Sequence, residues 1–153
     1  MISNIRKLFL IFGLFSVILI LAACGIEKGI SKDPSGDASD IPGEVPLRYR
    51  ELENPLVGDS EALARGSEAY QALCSQCHGE GGEGDGQEAK GFKPAPGDIT
   101  RPEMAGKSDG YLYWRITDGG AFEPFKSLMP AWGSLLNETE VWELVSYLRE
   151  ISS

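Results

Sequence analysis

One stretch constrains this chain more than any other: Cys74-Ser75-Gln76-Cys77-His78, which holds the single histidine among 153 residues. C-x-x-C-H is the pattern of covalent haem attachment. Each thiol adds across a vinyl group of the macrocycle, and the adjoining imidazole takes one axial face of the iron. A chain with this motif must close its core around a flat apolar disc. A domain of this size lies near the lower range for a stable core of side chains alone, so the apo chain is expected to fold poorly.

Other uses of the motif lack partners. Structural zinc takes four ligands, usually Cys or His, and beyond the motif only Cys24 remains. A thioredoxin-like Cys pair sits beside a βαβ pattern, which the sequence does not show. Nucleophilic catalysis by Cys and His joins groups that are usually far apart in the chain.

A single histidine also rules out bis-His ligation within the chain. Thioether sulfur is the other common axial donor, and Met/His ligation raises the reduction potential. Of the three methionines, Met1 falls in the leader, which leaves Met104 and Met129. Met129 is preferred because Pro130 follows it and stiffens the loop. Met104 lies in the polar loop Arg101-Pro102-Glu103-Met104-Ala105-Gly106, where its plainer role is gap filling.

Residues 1–23 carry Arg6 and Lys7, then an uncharged apolar run to Leu21, then Ala22-Ala23 before Cys24. This reads as an export signal and resembles a bacterial lipoprotein signal, in which Cys24 is lipidated. The alternative is a retained span, but the run is short of the roughly 20 residues a span needs. Either way the remainder is expected outside the cytoplasm, held at a membrane, and a diacylglyceryl anchor suffices for stable attachment. The outer face of the cytoplasmic membrane is the expected location. All 23 acidic residues lie beyond the leader, and the whole chain has a net charge of −9. That balance argues against nucleic acid and suits redox partner proteins with basic docking patches.

Residues 24–58 read as a lipidated N-terminus and flexible linker, punctuated by Pro and Gly, with a reach of roughly 30–35 Å as coil. Its later part, Leu47 to Leu56, is richer in apolar and aromatic side chains and is a candidate for packing on the domain or on a neighbouring subunit. Residues 59–153 form the predicted domain. A helix capped by Asp59 or Ser60 runs to about Leu73 and delivers Cys74 at its end. A second starts at Ser108 and stops at Asp118-Gly119-Gly120. The last opens with Asn137-Glu138-Thr139-Glu140, a capping box, and carries the stripe Val141, Leu144, Val145, Leu148, Ile151. No strand alternation is visible, so the fold class is all-α. The glycine-rich run Gly79 to Gly86 lacks the Gly-Lys-Ser/Thr ending of a phosphate loop; its glycines are expected to let backbone pass close to the haem edge. Trp114, Trp132, Phe122 and Phe125 are expected in the haem pocket or core. Arg115 is expected to be a solvated surface residue, with pairing to a haem propionate as the alternative.

Cys74 to Gly79, Gly82 to Gly86, Pro94-Ala95-Pro96-Gly97-Asp98-Ile99-Thr100, Met129-Pro130-Ala131-Trp132 and a terminal helix with Tyr147 together resemble class I cytochromes c over about residues 59–150. The resemblance implies one covalent haem c, first and last helices crossing at Gly66, Tyr70 and Tyr147, and a proline carbonyl behind the His78 ring, Pro96 or else Pro94. It implies electron transfer without catalysis by the chain itself, as a carrier or as a subunit of a respiratory or photosynthetic complex. The leader, Asn54-Pro55-Leu56 and Ser108-Asp109-Gly110 also look like the monohaem lipoprotein subunit of alternative complex III, which oxidises quinol. A haem sensor or peroxidase-like site with a displaceable Met is the competing expectation.

Overall fold

A computed structural model describes residues 43–153. The expectations for residues 1–23, for the linker up to residue 42 and for lipidation at Cys24 lie outside them. The described part is helical, with no strand among the described residues. α1 is a single turn at Leu47–Arg50, α2 spans Ser60–Leu73, and α3 is the turn Ser75–His78. A 3-10 turn at Gln87–Ala89 and the turn α4, Pro102–Ala105, precede α5, Asp109–Asp118, and α6, Glu138–Ile151.

The three long helices begin where side chains satisfy the orphan N–H groups of a first turn. The carboxylate of Asp59 accepts from the N–H groups of Glu61 and Ala62 at 2.9 and 3.0 Å. The Ser108 hydroxyl accepts from Tyr111 N–H at 3.1 Å. In the capping box, Glu140 N–H donates to Asn137 Oδ1 at 3.1 Å and Asn137 N–H donates to Glu140 Oε2 at 2.8 Å.

α2 and α6 form the principal packing pair. Gly66 makes their approach possible: a Cβ there would overlap the Glu143 carbonyl on α6. One turn on, the rings of Tyr70 and Tyr147 stack tilted at 5.0 Å between centroids. Tyr70 is fully buried, and its hydroxyl donates to Gly79 O at 2.8 Å. Leu112, Ile116, Val141, Trp142, Leu144 and Val145 complete the buried centre. Glu143 is buried too, paired through Oε1 with Arg65 Nε at 2.5 Å.

The segment read as linker is folded onto the domain from Pro46 onward. Tyr49 donates its hydroxyl proton to Asp118 at 2.7 Å, beside the Arg48–Asp118 ion pair at 2.7 Å. Leu52 and Leu56 pack on the core. Asn54, 7% exposed, joins three elements. Its Nδ2 donates to Ser146 Oγ at 2.9 Å on α6, its backbone N–H donates to Asp109 Oδ2 at 3.0 Å, and its Oδ1 accepts from Leu56 N–H at 2.9 Å. Removing this side chain strands buried donors and acceptors, so Asn54→Ala is expected to cost about 2 kcal/mol. A lowered urea midpoint at unchanged slope for the haem-loaded protein is the check.

Candidate functional site

α2 ends by handing its last carbonyls to the motif. Cys74 N–H donates to Tyr70 O at 2.8 Å, and His78 N–H donates to Cys74 O at 2.9 Å. Cys74 therefore caps the turn α3, which carries Cys77 and His78. Both cysteines are free thiols and half-buried. Burial, reinforced by neighbouring Cys77, pushes the Cys74 thiol up to about 11, so it stays protonated at neutral pH.

Behind the imidazole, the structure differs from the family expectation. His78 Nδ1 lies 3.1 Å from the carbonyl oxygen of Gly97, neither Pro96 nor Pro94. Pro96 turns its carbonyl the other way, onto the Cα of Gly84, where a Cβ would stand 2.6 Å from that oxygen. Gly84 has φ +80° and donates its N–H to His78 O at 2.8 Å. The glycine-rich loop is thus clasped between the haem-motif turn and the Pro96–Asp98 segment. Two of its glycines, Gly84 and Gly86, lie against the protein's own backbone, at Pro96 O and at Gln76–Cys77.

A carbonyl only accepts, so Nδ1 carries the proton and Nε2 keeps its lone pair outward for a metal. Burial holds the ring below histidine's usual range, opposed by the Gly97 bond, which also favours the neutral ligand form. Two free thiols and a neutral imidazole with Nε2 open, gathered at one turn, fit a covalently attached haem. They do not fit zinc: among the described residues no three His, Cys, Asp or Glu side chains are grouped as a metal cage requires.

The two candidate methionines occupy different environments. Met104 sits on the turn α4 and, partly buried, packs against the core. Met129 lies in the loop after α5, pinned by its backbone: Gly120 N–H donates to Met129 O at 3.0 Å. The following residues are stapled to the end of the same helix, with Trp132 N–H to Ile116 O and Gly133 N–H to Thr117 O, both 3.0 Å. Leu128, next to Met129, is 64% exposed.

Trp114 is buried on α5, and Phe122 and Phe125 close around it with ring centroids at 5.5 and 5.7 Å. Arg115 departs from its surface expectation. Its guanidinium carbon lies 3.6 Å from the Phe125 ring centroid, and burial lowers its pKa from arginine's usual range. The sequence signal for this was the density of aromatics around residue 115. Among the described residues, no helix is long and apolar enough to cross a membrane.

The family described as "Cytochrome C oxidase, cbb3-type, subunit III" matches residues 61–148. The Cbb3-type cytochrome c oxidase subunit FixP of Azorhizobium caulinodans is 30% identical over 102 residues, 67% of this chain and 31% of the relative. The chain thus spans about a third of the length of that curated relative. Among solved structures, the reducing HAO-like protein complex of Kuenenia stuttgartiensis is 26% identical at a TM-score of 0.51, covering 61% of this chain and 45% of the other. Cytochrome CL of Methylophaga aminisulfidivorans is 24% identical at a TM-score of 0.49, covering 64% and 60%.

Proposed function

Because the chain belongs to the cytochrome c oxidase, cbb3-type, subunit III family, and so is a c-type cytochrome that carries electrons and is not itself a catalyst, we propose that its one haem is ligated by His78 and Met129. We propose further that it works outside the cytoplasm as a lipid-anchored subunit of a membrane electron-transport complex. The observation that carries the ligation is the pair of environments just described: the Met104 side chain is used in the core, while Met129 stands in a loop held by backbone bonds to the end of α5.

The haem supplies reversible one-electron chemistry at iron. The chain supplies the rest. Cys74 and Cys77 would hold the macrocycle by two thioethers. Gly97 O keeps the proton on Nδ1 of His78, so that Nε2 is the donor atom. The soft Met129 sulfur favours the reduced state. His78 and Met129 would together hold the iron. Cys24, after the apolar leader, is the residue for the lipid.

The test is spectroscopic. The oxidised protein is expected to show the weak near-red band of Met–Fe(III) and to resist added cyanide, and the haem is expected to stay on the chain through denaturing electrophoresis. A high-spin spectrum with ready cyanide binding would instead mark a sensor or peroxidase-like site. Mass spectrometry of the membrane-extracted protein is expected to find a diacylglyceryl thioether on Cys24. An unmodified thiol there defeats the anchor while leaving the ligation standing.

A further inference from the structure

We propose that Arg48 and Tyr49 are positioning residues for the Met129 loop: through Asp118 they hold in shape the end of α5 from which that loop is hung. This rests on the Met129 ligation proposed above and adds what keeps the loop closed. Both residues lie ahead of the stretch 61–148 that matches the family, so the family pattern does not supply this contact.

Asp118 is the last residue of α5. A carboxylate there faces the negative end of the helix dipole and favours fraying. Two groups offset that, and both come from α1: Arg48 Nη2 and the Tyr49 hydroxyl each donate to Asp118 at 2.7 Å. The Arg48 guanidinium also lies over the Tyr49 ring, 4.5 Å from its centroid, and the Thr117 hydroxyl oxygen is 3.3 Å from that of Tyr49. At the other end of α5, Gly110 lets this segment lie directly on the helix, since a Cβ there would overlap the Tyr49 carbonyl.

The same turn carries the methionine loop on its backbone. Ile116 O accepts from Trp132 N–H and Thr117 O from Gly133 N–H, both at 3.0 Å. Gly119, at φ +71°, packs so closely under the loop that a Cβ would stand 2.7 Å from Met129 O and from Ala131 N. Gly120 N–H then donates to Met129 O at 3.0 Å. Residues 116–120 thus meet the loop through backbone while Asp118, in their midst, meets α1 through its side chain. If the last turn of α5 frays, the carbonyls of Ile116 and Thr117 lose their aim, and the bonds that close the loop go with them. Such an opening is a local event that costs far less than global unfolding. Losing one hydrogen bond to a charged group therefore changes its frequency by about tenfold.

The rate at which excess cyanide binds the oxidised, haem-loaded full chain reads that frequency, because the anion reaches the iron only when the methionine has left it. Tyr49→Phe is expected to speed cyanide binding by about tenfold, with the near-red band retained at neutral pH. Gly110→Ala, which lifts α1 off the helix without touching Asp118, is expected to speed it as well. Arg65→Gln breaks an ion pair between α2 and α6; it weakens the fold away from α5 and sets the background. Rates for Tyr49→Phe and Gly110→Ala no faster than that of Arg65→Gln, in a protein whose near-red band is present, overturn the proposal and leave the Met129 ligation standing. A wild-type protein without the near-red band removes the ligation, and the proposal with it.

Discussion

Met129→Ala is expected to abolish the near-red band of the oxidised protein and to let the iron bind cyanide. Its midpoint is expected to fall by more than the roughly 59 mV of a tenfold change. The direction follows from ligand chemistry. A thioether stabilises the reduced iron, and losing it leaves water or a harder donor on that face. The variant's fold is expected to hold, because the bonds that fix this loop run through backbone: Gly120 to Met129 O and Trp132 to Ile116 O, both 3.0 Å. Met104→Ala is the matched comparison. Its side chain packs on the core, so it is expected to cost stability and leave the spectrum unchanged. A reversal of the two phenotypes would move the ligand to Met104.

Gly66→Ala is expected to cost much stability, because the added methyl falls between two helix backbones. The added Cβ has nowhere to go: it would overlap the Glu143 carbonyl and crowd the Leu144 nitrogen, 3.3 Å away. Both are helix backbone, which cannot rotate aside, so α2 and α6 must part. Overpacking of this kind costs about 3 kcal/mol. The separation also strains the pair between half-exposed Arg65 and buried Glu143, and the Tyr70–Tyr147 stack. Chemical denaturation of the haem-loaded protein, followed in the haem absorption, gives the measurement. A loss below about 1 kcal/mol would mean that the helices tolerate a wider crossing.

The long helices were legible because local rules place them. Asp59, Ser108 and Asn137 announce their own caps, and the stripe from Val141 to Ile151 announces the buried face. The crossing residues Gly66, Tyr70 and Tyr147 came from the family pattern and stand together in the structure. What escaped the sequence depends on long-range contact or on the aim of a single carbonyl. Nothing local marks Asn54 as a knot, since its partners are Asp109 and Ser146. Likewise Gly97 adds one residue after Pro96, which re-aims the chain so that its own carbonyl reaches His78 and that of Pro96 meets Gly84. Arg115 read as a surface residue because arginines usually are. Its burial follows from Phe122 and Phe125 folding back over it, in a loop without periodicity to reveal that.

The docking of α1 along α5 has a mechanical side. Arg48 and Tyr49 grip Asp118, the last residue of α5, and Gly120, two residues on, donates to the Met129 carbonyl. Tension on the chain ahead of Pro46 is therefore passed to Asp118, as shear along a helix that also shoulders the methionine loop. An anchor at Cys24 would hold this domain by the same strut that steadies the loop carrying Met129, and a partner that displaced α1 would loosen that loop without touching it.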